Sequence, residues 1–351
     1  MNGSQSKTSQ FLIVGPSPHI HAPGSVRTIM LDVLIALLPA LAASCAIFGL
    51  RALALVSTCV ASCVLTEHLC RRAMRRPDTT GDLSAVVTGV LLAFNLPPTL
   101  PFWMAALGSV FAIAIAKQVF GGLGYNPFNP ALAARAFLLV SFTGAMTTWS
   151  ATAAFDPSSV ADAVTTATPL GLAKAAMRSG LPPPITMDAP MIWRFATGGI
   201  NGCLGETCSI ALLLGACYLV FRKVITLHTP IAYLGTVAVL AAALRIASPA
   251  TAMPVSFHLL SGGLMLGALF MATDMVTTPS TEAGKIIFGI GCGILTMVIR
   301  SARGGAYPEG VSFAILIMNA FTPLIDRITP HRVFGRGRKP KAKKEEARRK
   351  A

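Results

Sequence analysis

The sequence predicts an all-α integral membrane protein of about ten transmembrane helices, arranged as an inverted repeat with one long extracytoplasmic loop between its halves. Three observations predict it. Of 351 residues, 53% are hydrophobic and only 12% charged, whereas a soluble domain has about a quarter of its residues charged. Several apolar stretches are long enough to cross a hydrocarbon layer of ~30 Å. Glycines and polar breaks recur at matching intervals in the two halves of the chain.

Residues 1–27 are polar and read as a cytoplasmic segment; they lack the charged, apolar, small-residue order of a removable signal peptide. The first membrane half, 28–148, holds spans at 28–50, 52–70, 83–96, 102–120 and 130–148. The third is short and ends at Asn95-Leu96-Pro97-Pro98, as a broken or partly inserted helix would. Residues 149–202 form the long loop. The second half, 203–326, holds spans at 203–221, 229–246, 255–273, 286–300 and 308–325. Residues 327–351 are a basic tail. From Arg332 to Ala351 ten Lys or Arg face two Glu, so +8 of the chain's net +15 sits there. Beside a terminal membrane helix such a run reads as a cytoplasmic tail near anionic lipid, or simply a solvated one, and not as a nucleic-acid site.

Lysine and arginine also set the orientation. Arg71, Arg72, Arg75 and Arg76, the pair Arg222-Lys223, and the tail all share one side if the span count is even. That side is expected to be the cytoplasm, with both termini inside and Arg300 and Arg303 as exceptions outside. The loop carries Asp156, Asp162 and Asp188 against Lys174, Arg178 and Arg194, so no positive excess opposes its export.

The repeat is read from glycines. Gly108 and Gly121-Gly122 recur 183 residues later as Gly291 and Gly304-Gly305, and Gly89 with Asn95 resembles Gly267 with Asp274. The copies begin with the third and eighth spans. Five spans is an odd number, so the copies face opposite ways, an arrangement that builds a central site from broken helices. Helix packing by itself also favours glycine.

Ionisable groups within apolar spans are costly and so are functional candidates. They are Asp32, Glu67, Lys117, Arg135, Glu206 and Asp274, with Glu309 opening the last span. Lys117 and Arg135 lie near span ends, where long side chains reach the headgroups. Glu206 follows Asn201–Gly205 at a span start, where a helix N-terminus favours a carboxylate, so a structural and an ion-handling role both stand. Asp274, at a repeat-related break, is the strongest candidate for an ion pathway, followed by Glu206 and Glu309. The eight cysteines form no Cys-x-x-Cys pair and imply neither a metal site nor a disulfide framework; they read as small core residues. Gly121 to Pro130 lacks the strand-to-helix context of a nucleotide loop and reads as a tight turn more readily than as a ligand contact. In the loop, Thr165-Thr166-Ala167-Thr168-Pro169 precedes a short amphipathic stretch, Leu170 to Met177. By composition alone a hydroxyl there caps a helix.

The chain resembles the RnfD/NqrB family, membrane components of the Rnf electron-transport complex and of the sodium-pumping NADH:quinone reductase, and its length favours the Rnf branch. The resemblance runs through Ser17-Pro18-His19, Asp82 to Gly89, Leu96-Pro97-Pro98 and Gly121 to Pro130. It continues at Gly205-Glu206, at Asp274 with Thr277-Thr278-Pro279, and at Pro308-Glu309-Gly310. It implies a covalent FMN joined by a phosphoester to the last residue of a Ser/Thr-Gly-Ala-Thr motif. Here that motif is Thr165-Thr166-Ala167-Thr168, with Thr168 the acceptor, Thr166 in place of the glycine, and Asp162 three residues before Thr165. It further implies a noncovalent flavin, riboflavin, near the membrane core. A flavin transferase and the other components of the Rnf complex are the implied partners, among them a second FMN carrier and iron–sulfur subunits. The implied location is the bacterial cytoplasmic (inner) membrane. The implied activity is electron transfer between ferredoxin and NAD coupled to Na⁺ or H⁺ transport. From the inverted repeat alone, a stand-alone channel or secondary transporter fits equally well, and an assembly scaffold less well.

Overall fold

The computed structural model describes residues 25–149, 168–179, 185–249, 252–301 and 310–330, and among these all regular structure is helical. Asp162, Thr165, Thr166, Ala167, Gly304-Gly305 and Glu309 lie outside the described residues. In the first half α1 spans Val26–Phe48 and α2 Leu50–Ala73. α3 covers Ser84–Phe94, and α4, Phe102–Val110, runs on as a π-helix over Phe111–Gln118. α5 spans Pro130–Ser141, with a further turn, α6, at Thr143–Met146. Between the halves lie α7, Pro169–Arg178, and α8, Ala189–Thr197. The second half begins with α9, Ser209–Phe221, and α10, His228–Ala247. Next come α11, Val255–Leu260, and α12, Leu264–Leu266, which continues as a π-helix over Gly267–Met271. α13, Glu282–Ser301, and α14, Val311–Ile328, complete it.

Each expected span falls on a helix or a broken helix. Five of them (α1, α2, α10, α13 and α14) are long and apolar enough to cross a membrane. Their outer faces expose large aliphatic side chains such as Leu38, Leu65, Val239 and Val298, which suits a lipid solvent. Three boundaries differ from expectation, each for a local reason. The fifth span loses its helix at Phe142, whose φ of −130° and ψ of 51° are not helical. The sixth begins only at Ser209, because Cys203–Glu206 form a turn. The eighth is interrupted at Ser261, in extended conformation, and Gly262, at φ 65°.

α3 has 11 residues and so reaches only ~16 Å, about half a bilayer. Pro97 and Pro98 cannot donate the N–H groups that would continue it. Its freed carbonyls are satisfied from elsewhere. Asn95 Nδ2 donates to Leu91 O at 2.6 Å. From the second half, Leu204 N donates to Leu96 O at 3.1 Å and Gly205 N to Phe94 O at 2.9 Å.

The halves pack as related copies. α1 lies against α9 and α5 against α14, while α2 covers α3 and α4 as α10 covers α11 and α13. Gly215 lets α9 touch α1, since a Cβ there would collide with the Ala36 carbonyl. Gly108 faces Leu138 of α5, and its counterpart Gly291 faces Met318 of α14. Gly108 and Gly291 therefore serve the same helix packing in the two halves.

Candidate functional site

Thr168 sits at the start of α7. Its backbone carbonyl accepts from Leu172 N at 3.0 Å and its Oγ1 from Gly171 N at 3.1 Å, which is the geometry of a helix cap. The expected capping role is thus present, and the residue is largely buried. The helix is held down by its inner face, Leu170 and Ala173, which pack with Phe195, Met253 and Phe257. Lys174 Nζ adds a bond to Ile299 O of α13 at 3.2 Å.

Glu206 shares a small cleft with Thr168, where the start of α7, the turn before α9 and the break between α11 and α12 meet. Asn201, Thr207 and Ser261 supply the other polar side chains of its wall. The expectation that Glu206 serves a helix N-terminus is corrected. Cys208 is the N-cap of α9, while Glu206 Oε1 accepts from Cys203 N at 2.8 Å and closes its own turn. Its Oε2 is buried without a hydrogen-bond partner. Gly263 leaves room beside it, since a Cβ there would stand 3.0 Å from that oxygen and 3.7 Å from Arg135 Nη1.

Arg135 and Lys117 do not extend to headgroups; both are buried. Arg135 Nη1 donates to Asn95 Oδ1 at 2.8 Å and to Ser312 Oγ at 3.0 Å, and Nη2 approaches Cys203 Sγ at 3.6 Å. It therefore joins α5, the break after α3, α14 and the Glu206 turn. Lys117 Nζ donates to Glu67 at 2.9 and 3.0 Å and to Ser84 Oγ at 2.6 Å. Glu67 Oε1 also receives Gln118 Nε2 at 2.8 Å and Thr79 Oγ1 at 3.1 Å. Asp32, a third buried group, receives Tyr218 Oη at 2.9 Å and Arg222 Nε at 3.2 Å.

Asp274 lies elsewhere. Its carboxylate accepts from Val276 N at 3.3 Å and Thr277 Oγ1 at 3.1 Å, and it lines a cavity of about 110 Å³ between the halves. Apolar walls such as Met30, Leu91 and Phe270 enclose Lys117, Asn126 and Asn129 there. The Gly121–Pro130 segment is the tight turn expected, with positive φ at Gly121, Gly122 and Gly124, and it also lines this cavity. Asn129 caps α5 through Ala131 N at 3.1 Å, while Asn126 Oδ1 is buried with no partner. Among the described residues no group of His, Cys, Asp and Glu could hold a metal ion.

The model of the NQR2, RnfD, RnfE family matches residues 13–335. The chain belongs to that family. Among its relatives, the D component of the Na⁺-translocating ferredoxin:NAD⁺ oxidoreductase complex of Acetobacterium woodii is 50% identical over 92% of this chain and 95% of its own. The D component of the proton-translocating ferredoxin:NAD⁺ oxidoreductase complex of Clostridium ljungdahlii is 45% identical over 95% and 99%. That of the ion-translocating oxidoreductase complex of Halorhodospira halophila is 38% identical over 93% and 96%.

For this family member the sequence reading missed Asn95, Ser261, Lys174 and Arg300 as parts of the Thr168 and Arg135 surroundings. Arg300 had a signal: it lies 183 residues after Lys117, the shift of the repeat itself. Asn95 was noted as a break and not as an arginine's partner. Ser261 and Lys174 carried no sequence signal that separates them from ordinary loop residues.

Proposed function

We propose that this protein is the RnfD-type membrane component of an ion-translocating ferredoxin:NAD⁺ oxidoreductase complex and carries electrons through FMN esterified to Thr168. The observation that carries the reading is identity of 50% and 45%, across nearly the whole of both chains, to components of complexes bearing that name. Thr168 suits the ester on two counts. It stands at the N-terminus of the ten-residue α7, where backbone N–H groups and the helix dipole favour a phosphate. The cavity beside it offers hydroxyl and amide groups from Thr207, Ser261 and Asn201. Bound flavin links one-electron and two-electron carriers; the protein's part is to fix its place and surroundings. Partners on this reading are the other components of the complex, including a second FMN carrier and iron–sulfur subunits, together with the flavin transferase and lipid.

The larger cavity is our candidate for a noncovalent riboflavin. Asn126 offers a buried acceptor without a partner against apolar walls, which fits an amphipathic ring system. Asp274, on the same cavity, is the ion-handling candidate. Asp274→Asn is expected to lower ion-coupled turnover while both flavins stay bound; coupling equal to wild type would remove Asp274 from the ion path. Asn126→Ala is expected to lose the acid-extractable flavin alone.

Both termini are assigned to the cytoplasmic side of the inner membrane and the inter-half segment to the other. Reporter fusions after Ala351 and near Ser158 are expected to report opposite sides, and the same side for both would overturn the orientation. A stand-alone transporter shares the repeat but needs no flavin. A denaturing gel of the purified protein, made in a host with the transferase, separates the two readings by flavin fluorescence.

A further inference from the structure

A cavity of about 270 Å³ lies where α9 ends and α10 and α13 begin, beside Arg222 and Lys223. A water needs about 10–15 Å³ of such space, so there is room for a polyatomic ligand. Val224, Ile225, Thr273 and Met275 line both this cavity and the inner one that holds Asp274. They form the wall between the two.

The rest of the lining holds donors without acceptors. Thr229 is only 2% exposed, and among the described residues its hydroxyl bonds to nothing. Lys285 Nζ donates to Thr226 Oγ1 at 3.2 Å, and among the described residues it forms no ion pair. That bond leaves two ammonium protons and the Thr226 hydroxyl proton unused. Beside them α10 starts at His228 with no side chain capping it, so its first N–H groups add positive potential. The other hydroxyls are committed: Thr273 to Leu269 O, Thr278 to Asp274 O and Ser280 to Asp326 Oδ1. Two carboxylates stand close, Asp326 through Ser280 and Glu282 three residues before Lys285, but neither lines the cavity.

We propose that this cavity binds a phosphate group, held by Lys285, Thr226 and Thr229. An ionised phosphate offers the acceptors that these donors lack, and a charged donor meeting a charged acceptor makes the stronger class of hydrogen bond. Two sources share that chemistry: the headgroup of a phospholipid and a phosphate compound dissolved in water. The same helices expose Ile231, Ile286 and Ile287, a surface suited to acyl chains, and a basic pocket between membrane helices takes anionic headgroups. The site does not depend on the FMN ester proposed above, and no covalent bond forms or breaks in it.

The test is equilibrium binding to the whole purified complex after detergent exchange has stripped its lipid. One probe is radiolabelled phosphatidylglycerol in mixed micelles, the other radiolabelled inorganic phosphate. The wild type is expected to show a saturable site for phosphatidylglycerol that diacylglycerol, with the same chains and no phosphate, does not compete for. Lys285→Gln is expected to weaken that site about tenfold, the scale of a lost hydrogen bond from an ionised donor. Lys285→Arg keeps the charge and is expected to bind as wild type does. Thr229→Val keeps the volume, removes the buried hydroxyl and is expected to weaken the site several-fold. Binding of the lipid probe alone, sensitive to these substitutions, makes the source a headgroup; inorganic phosphate bound with the same sensitivity makes it a dissolved phosphate. Lys285→Gln binding both probes as tightly as wild type overturns the proposal, as does a wild type that binds neither. Should Lys285→Gln fail to assemble, Thr229→Val decides, and unchanged affinity there overturns it.

Discussion

Thr168→Ala is expected to abolish covalent flavin completely while the membrane helices remain folded. The substitution removes the proposed acceptor oxygen and also the cap on Gly171 N. A lost cap costs about 1 kcal/mol, too little to disrupt a core that spans both halves. The two effects therefore separate: the flavin signal vanishes, and the detergent-solubilised protein stays monodisperse. Thr168→Ser keeps both the oxygen and the cap and is expected to retain attachment in part. With only 8% of Thr168 exposed, the proposed ester requires that a transferase reach the hydroxyl before α7 docks, so esterification is expected early in assembly. Mass spectrometry of the peptide from Thr165 to Lys174 reads the outcome. FMN on Thr165 or Thr166, or none in a host that has the transferase, would overturn the assignment.

Glu67→Gln is expected to be the most damaging single change in the first half. Glu67 is fully buried and receives Lys117 Nζ, Gln118 Nε2 and Thr79 Oγ1. The amide leaves an ammonium that is 1% exposed without countercharge. Breaking a buried pair from one side costs about 3–5 kcal/mol. Thermal unfolding in detergent should show a much lower midpoint or no folded protein at all. Replacing both partners, Glu67→Leu with Lys117→Met, removes the charges together and is expected to recover most of the loss. A single variant as stable as wild type would mean that the pair is not formed.

Much of the architecture was legible because the bilayer limits the choices. Long apolar runs had to be helices, and Pro97-Pro98 had to end one of them, whereas the interruption at Ser261 and Gly262 was not foreseen. The cap at Thr168 was legible from a hydroxyl preceding proline and an amphipathic stretch. Side-chain direction was not. Whether Lys117 reaches headgroups or turns inward depends on the π-helix over Phe111–Gln118 and on Glu67 being placed opposite, and neither leaves a local mark in sequence. Arg135 escaped notice as a hub because its partners Asn95, Cys203 and Ser312 come from three distant segments. Glu206 stood near a span start as expected, yet the turn that it closes moved the helix start from 203 to Ser209.

The interrupted α3 has a consequence for how the protein is made. The carbonyls of Phe94 and Leu96 are satisfied by Gly205 and Leu204, from the other half of the chain. At roughly 5–20 residues per second, a ribosome needs on the order of 5–20 s to go from the first pair to the second. Throughout that wait the end of α3 carries bare polar groups that hydrocarbon penalises by several kcal/mol each. The nascent first half therefore has to pause where water or an insertase can hold it, and it enters the lipid for good only when the second half arrives.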